Sequence, residues 1–323
     1  MEILPLAFEK LISAYRDEIN SQLLTVYNAG PESLVQPINY VLSGKGKRVR
    51  PILTLFTAES FGGTKAESLP AALAVEILHN FTLVHDDIMD EDNIRHGKPT
   101  VHHKWDVGTA ILSGDAMLSL ALKMVQKSPR FNEKLMTSFI DGLQAVCEGQ
   151  AYDKEFESRD NVTLDEYIYM IDLKTGYLIG LSAELGAISV GAKDEDVIKV
   201  RDYGRLIGRA FQIQDDLLEI YSDSINMGKS LESDLLLAKK TYLMIQAKEA
   251  VPFELNSALE LAQENFTTGL EKVRTVLIDS GIRQKAEEKI NSTIKEADLL
   301  LSELNIDIKK LSFFSNIITN RGN

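Results

Sequence analysis

Two short acidic clusters set in apolar helical runs hold the chemistry of this chain: Asp86-Asp87-Ile88-Met89-Asp90 and Asp215-Asp216-Leu217-Leu218-Glu219. Each places carboxylates at i, i+1 and i+4. On a helix, residues i and i+4 stack on one face, which pairs Asp86 with Asp90 and Asp215 with Glu219 as two-pronged oxygen ligands. Like charges one turn apart cost on the order of 0.2–0.5 kcal/mol, so an apolar helix has no local reason to hold them. A hard cation supplies one. Mg2+ takes oxygen ligands octahedrally, uses one or two carboxylates, and completes its shell with water and substrate phosphate. A lone Asp-Asp-x-x-Asp reads equally well as a solvated helix end. A second cluster of the same spacing, preceded by Phe211-Gln212-Ile213-Gln214, points to two carboxylate walls across a helical cavity, able to hold several Mg2+ ions and a diphosphate.

Cations accompany the acids. Gly44-Lys45-Gly46-Lys47-Arg48-Val49-Arg50-Pro51 sets four of them between glycines and ends where Pro51 can open a helix. Glycines allow close backbone approach and a helix amino terminus favours anions, although the segment alone also reads as a solvated basic turn. Arg95-His96 follows the first cluster, Lys229 follows the second, and Lys174 lies between them.

The elements that must position these groups are helices. Apolar residues recur at helical spacing almost throughout, and alternating β-branched runs are scarce. Helices are expected over about 5–28, 33–43, 51–61, 66–90, 109–126, 131–156, 164–190, 194–222 and 235–250, with about four more beyond. Thr163-Leu164-Asp165-Glu166 is a capping box that starts a helix at Leu164. Gly62-Gly63 and Gly97-Lys98-Pro99 are breaks. The first cluster therefore closes a long helix and leads into a polar loop, 91–103, and the second precedes another, 222–233.

No Gly/Ser linker, charge block or internal repeat divides the 323 residues, so 1–323 reads as a single all-α domain. A 44% hydrophobic and 26% charged composition is that of a globular protein with a large core. No membrane span is expected, because acidic, basic or histidine residues break the apolar stretches before about 18 residues. The first sixteen residues lack the pattern of a secretory signal, and the single cysteine, Cys147, excludes an intramolecular disulfide; both point to the cytoplasm. A net charge of −13 argues against a nucleic-acid partner.

The ordered set Gly46-Lys47-Arg48-x-Arg50-Pro51, His79, Asp86-Asp87-x-x-Asp90, Arg95-x-Gly97-x-Pro99-Thr100, Gly149-Gln150-x-x-Asp153, Lys174-Thr175 and Phe211-Gln212-x-x-Asp215-Asp216 with Lys229 resembles the trans-isoprenyl diphosphate synthases. The match runs from about residue 40 to 245. The resemblance implies an isoprenoid-synthase helical bundle around a central apolar cavity, working as a homodimer. It implies about three Mg2+ ions, two on Asp86 and Asp90 and one on Asp215, with Asp87, Asp216 and Glu219 in support. Arg95, Lys174 and Lys229 would contact the diphosphate of an allylic substrate (dimethylallyl, geranyl or farnesyl diphosphate). Thr175 belongs to the same substrate-binding set, and Gln150, Asp153 and Gln212 would line the allylic side. Lys47, Arg50 and His79 would hold isopentenyl diphosphate. Condensation is head-to-tail (1′-4). An aromatic residue at Phe81 followed by a small one at Thr82 implies a short product, geranylgeranyl diphosphate first and farnesyl diphosphate second.

Three positions depart from the family pattern. His96 replaces a second Arg that contacts isopentenyl diphosphate. Glu219 replaces an Asp, and Glu232 and Ala238 stand where Gly is frequent. Three other readings remain. His85-Asp86 with His79, His102 and His103 suggests an HD-type metal phosphohydrolase. A class I terpene cyclase shares the first acidic motif but needs no second diphosphate site at Lys47 and Arg50. A non-catalytic subunit of a heteromeric prenyl synthase would carry degraded acidic motifs, whereas both are intact here.

Overall fold

A computed structural model describes residues 3–44, 46–221 and 239–319. In chain order the helices are α1 (Ile3–Leu23), α2 (Glu32–Leu42), α3 (Val49–Ser60), α4 (Lys65–Met89), α5 (Val101–Lys104), α6 (Val107–Gln126) and α7 (Glu133–Ser158), followed by α8 (Leu164–Ile171), α9 (Tyr177–Ser189) and α10 (Asp194–Tyr221). Beyond residue 238 come α11 (Tyr242–Ala250), α12 (Pro252–Glu264), α13 (Phe266–Asp279), α14 (Ile282–Ser302) and α15 (Lys309–Thr319). The all-α expectation holds. Most helix limits fall within three residues of those read from periodicity; α1 stops at Leu23, five residues early, and the first part of the expected 235–250 helix lies outside the described residues.

The residues group into two compact units. The first comprises 1–143, 178–201 and 301–314; the second comprises 144–177, 202–300 and 315–323. In the first, α4 packs against α3 and α6. Its stretch Ala71–Leu78 is buried at every position, because small alanines let neighbours close in on all sides. Ile77 and Leu78 within it are fully buried, as are Leu53 and Phe56 on α3 and Met117 on α6. In the second, Phe156, Tyr167, Ile171, Ile213, Leu217, Leu243, Val273 and Leu277 belong to one core cluster that joins α7, α8, α10, α11 and α13.

Two features depart from the sequence expectation. The loop after α4 contains a hairpin, β1 (Ile94–Arg95) paired antiparallel with β2 (Lys98–Pro99), turning at His96-Gly97. Both turn residues have positive φ, 50° and 74°, the signature of a type I′ turn. Tyr40 on α2 ties the hairpin down through its hydroxyl, which donates to Pro99 O at 2.8 Å. The other departure is a π-helical turn, Asp172–Gly176, which divides the expected 164–190 helix into α8 and α9. A further difference concerns α6, which is long and apolar enough by composition to cross a membrane although Asp115 and Lys123 interrupt it. Only 39% of its most apolar stretch is buried.

The capping box forms as expected. Glu166 Oε2 accepts from Thr163 N–H at 2.8 Å and from its hydroxyl at 2.9 Å. These bonds, with Arg159 at 2.8 Å, hold the Glu166 carboxyl down at about 2. A carboxyl depressed in the folded state stabilises it above the ordinary carboxylate range and loses that contribution as pH falls through the depressed value. Thr163→Ala should therefore melt below the parent at pH 7, and the gap should narrow as pH drops from about 4.5 toward 2. Thermal melts across that range check it; a gap that does not vary with pH would assign the effect to the hydroxyl cap alone.

Candidate active site

Asp86, Asp87 and Asp90 occupy the last turn of α4, in the first unit. Asp86 is half-buried and Asp90, the C-cap, is exposed. Asp87 points inward, 5% exposed, and its Oδ1 accepts from Arg95 Nε on β1. Burial raises the Asp87 carboxyl above its ordinary range and Arg95 opposes the rise. Arg95 also reaches Asp92 at 3.5 Å. The helix ends with Glu91 in a left-handed conformation, φ 55°, while Asp92 N–H closes back on Asp87 O at 2.9 Å.

The basic segment divides between surface and interior. Lys47 is exposed, and Lys45 lies outside the described residues. Arg48, counted in the sequence among the cations of a ligand loop, is instead 4% exposed and left-handed at φ 53°. Its guanidinium donates to Glu76 Oε1 at 2.5 Å, Asn20 Oδ1 at 2.8 Å, Leu42 O at 2.8 Å and Gly44 O at 2.7 Å. It also caps α3, which begins at Val49, so Pro51 is the third helical residue rather than the first. Arg50 and His79 meet, with Nη1 and Nε2 3.1 Å apart. Burial, with Arg50 next in weight, holds the His79 imidazole well below its ordinary pKa. A neutral ring accepts at Nε2 from Arg50 and keeps a proton on Nδ1 to donate.

Below the first cluster on α4, Phe81 is 7% exposed and its ring meets the edge of His85 at 4.7 Å. Thr82 hydroxyl is returned to His79 O at 2.8 Å. Gly114 on α6 makes room for His85, because any side chain there would collide with the imidazole. His102 lies 3.3 Å from Thr100 hydroxyl. His79, His85 and His102 thus pack or turn back on local groups. Among the described residues no three His, Cys, Asp or Glu side chains form a ready metal cage. An HD-type centre needs such a cage; Mg2+ shared with substrate phosphates does not.

The second unit holds Asp215, Asp216 and Glu219 on α10. Asp215 and Glu219 are half-buried. Asp216 is 4% exposed and accepts from Tyr167 hydroxyl at 2.5 Å, Tyr242 N–H at 3.0 Å and Gln212 Nε2 at 3.3 Å. Burial pushes its carboxyl up to about 6, and burial likewise drives the Tyr167 phenol well above its usual value. Sequence reasoning missed Tyr167 and Tyr242. The π turn carries Lys174 and Thr175. Lys174 Nζ lies 2.5 Å from Asp153 Oδ2, and Thr175 hydroxyl donates to Gln212 Oε1 at 3.0 Å. Gln150, 7% exposed, has both amide atoms buried with no protein hydrogen-bond partner, a polar group suited to a ligand. His96 stands exposed at the hairpin tip, in the first unit. Lys229, Glu232, Ala238 and the whole 222–233 loop lie outside the described residues. A cavity of about 780 Å³ opens in the second unit between the α7–α8 connection and α11, and no predicted site residue lines it.

A family model described as polyprenyl synthetase matches residues 31–277. The chain belongs to the polyprenyl synthetase family. The chain is 42% identical over 240 residues to a geranylgeranyl diphosphate synthase of Methanosarcina mazei, covering 73% of this chain and 74% of the relative. A geranylfarnesyl diphosphate synthase of Natronomonas pharaonis is 38% identical over 267 residues, covering 75% and 76%. A crystal structure of the geranylgeranyl pyrophosphate synthetase from Pyrococcus horikoshii aligns with TM-score 0.88 and 32% identity over 98% of this chain and 99% of that one. The fold is accordingly that of the isoprenyl synthases, and the chain is a prenyltransferase.

Removing one partner of the Arg48–Glu76 pair strands a buried charge. Arg48→Met should cost about 3–5 kcal/mol in urea unfolding. Arg48→Met combined with Glu76→Leu should recover most of that loss. A double variant as unstable as the single one would show that the other Arg48 bonds, not the charge pair, hold the loop.

Proposed function

We propose that this chain condenses isopentenyl diphosphate with an allylic prenyl diphosphate in a Mg2+-dependent, head-to-tail (1′-4) reaction, with geranylgeranyl diphosphate as main product and farnesyl diphosphate next. The carrying observation is the shared plan of the two acidic clusters: the leading aspartate is half-exposed and the following one is buried and bonded to protein. Asp86, Asp90 and Asp215 then serve as metal ligands, with Asp87 and Asp216 holding them in place and Glu219 flanking. The donor set fits Mg2+, being all hard oxygen and leaving room for phosphate and water. Bound Mg2+, about three ions, supplies Lewis-acid stabilisation of the charge that develops on the departing diphosphate.

Arg95, Lys174 and Lys229 bind that diphosphate. Thr175, Gln150, Asp153 and Gln212 face the allylic group. Lys47, Arg50, His79 and His96 hold the second diphosphate, the Nδ1–H of neutral His79 donating to it. Once the allylic C–O bond breaks, the C4 π-bond of isopentenyl diphosphate attacks the cation and the leaving diphosphate takes the released proton. The reading of 1–323 as one domain is supported by the unit boundaries, all of which fall inside helices. Homodimer formation is supported by the exposed apolar residues Val107, Ile111 and Leu112 of α6, a face a second copy would cover. A cytoplasmic setting is supported by the single cysteine.

Pure protein given both substrates and Mg2+ should yield a longer prenyl diphosphate; hydrocarbon, free phosphate alone or no product would sink the assignment. Asp86→Ala and Asp215→Ala should each lower the rate by ~10² to 10³ or more while leaving helical circular dichroism intact. A folded variant above a tenth of the parent rate, roughly, would remove that residue from the ligand set. Phe81 lies five residues before Asp86, about 7.5 Å down α4. Phe81→Ala should lengthen the product, read by chromatography of the dephosphorylated alcohols. An unchanged distribution would place the limit on chain growth elsewhere.

A further inference from the structure

Lys174 and Thr175 owe their positions to a π turn, and such turns survive only when neighbours hold them. The neighbours lie on one face of α10: Arg205, Gly208, Arg209, Gln212 and Asp216 follow at i, i+3, i+4, i+7 and i+11. Gly208 brings the α10 backbone onto the turn, since a Cβ there would stand 2.7 Å from Gly176 Cα and 3.2 Å from Thr175 O. Gly149 does the same from α7, 2.7 Å from Lys174 Cα. Glycines permit closeness but fix no register, because a backbone contact is much the same one residue up or down.

Charge does fix register. Asp172 opens the turn, 7% exposed, and accepts from Arg205 Nη2 and, at 3.4 Å, Arg205 Nε. Arg209 Nε stands 3.6 Å from its Oδ1, an ion pair too long for a hydrogen bond. Arg205 also lies over the ring of Tyr177, the residue after the turn, at 4.3 Å. A Cβ at Gly176 would come within 2.8 Å of Asp172 Oδ1, so glycine there leaves room for the carboxylate. The two arginines sit one helical turn apart with the carboxylate between them. A slip of one residue, about 1.5 Å along α10, takes it out of reach of one arginine.

We propose that Asp172, clamped by Arg205 and Arg209, is a positioning residue that sets the register of the π turn on α10 and thereby places Lys174 and Thr175 against Gln212 and the second acidic cluster. The inference rests on the reading of Lys174 and Thr175 as contacts to the allylic substrate. Displacing a positioned group by about 1 Å costs on the order of 10² in rate. Steady-state kinetics with Mg2+ on Asp172→Asn, Arg209→Gln and Lys174→Ala, varying each substrate in turn, test it. Asp172→Asn should lose at least roughly tenfold in kcat/KM for the allylic diphosphate, with KM for isopentenyl diphosphate within about twofold and Arg209→Gln falling between. A parallel rise in KM for both substrates would reduce Asp172 to a purely structural residue and overturn the proposal. So would an Asp172→Asn enzyme with parent kinetics beside an impaired Lys174→Ala. If Lys174→Ala is itself silent, the reading of the turn fails and the positioning role falls with it. Should Asp172→Asn not fold, Arg209→Gln, which keeps the Arg205 bridge, decides by the same criteria.

Discussion

Neighbouring residues on a helix project about 100° apart, so a paired aspartate that offers one carboxylate outward must turn the other toward the protein. An inward carboxylate without partners costs several kcal/mol, and the whole arrangement around each cluster answers that demand. The two solutions differ in kind. Asp87 is met by the guanidinium of Arg95, carried on the hairpin, so the His96-Gly97 turn and its anchor at Tyr40 help hold the partner of α4's last turn. Asp216 is met by the neutral donors Tyr167, Gln212 and the Tyr242 N–H. Burial raises its carboxyl to about 6 in spite of these donors, whereas at Asp87 Arg95 works against the rise that burial causes. The same division recurs in the basic segment, where Lys47 is exposed and Arg48 inside knits α1, α2, α3 and α4 together.

Much of this was readable from residue order. Helical periodicity gave the α-helices because their buried faces repeat every three or four residues, and the Thr163 box marked a start that the structure keeps. The acidic residues were legible because like charges in apolar helices need a reason. What escaped has physical causes. Two-residue strands are too short for a period-two pattern, although the His96-Gly97 pair carried a turn signal of its own. The π turn adds one residue to a helical cycle just before α9, which is apolar almost all round, so no periodicity beyond the turn registers the shift. Tyr167 and Tyr242 reach Asp216 from residues 49 and 26 positions away in sequence. Arg48 misled because its charge suggests a surface, while its four acceptors include two backbone carbonyls that no sequence pattern announces.

Glycine in helix interiors is the signal that bears on the π turn. At about 1 kcal/mol worse than alanine, a helical glycine implies a neighbour that alanine would exclude. Gly149 and Gly208 admit the backbone of the π turn from two sides, and Gly114 admits His85. Gly149 and Gly208 lie beside residues assigned to the reaction, and Gly114 lies beside the histidine that precedes Asp86, so these three glycines mark where helices close on or next to functional groups.

Gly114 also ties two properties of the enzyme to one helix. With His85 seated against α6, its ring edge braces Phe81, while one residue further along α4 Asp86 begins the acidic cluster. The proposed floor for the growing chain and the proposed metal ligand are thus fixed on the same rigid rod, about five residues or 7.5 Å apart. A shift of α4 that improved one would displace the other. Changes in product length are therefore better tolerated at the Phe81 side chain, which alters the floor without moving the rod, than at Gly114, where any side chain displaces the His85 ring that braces Phe81.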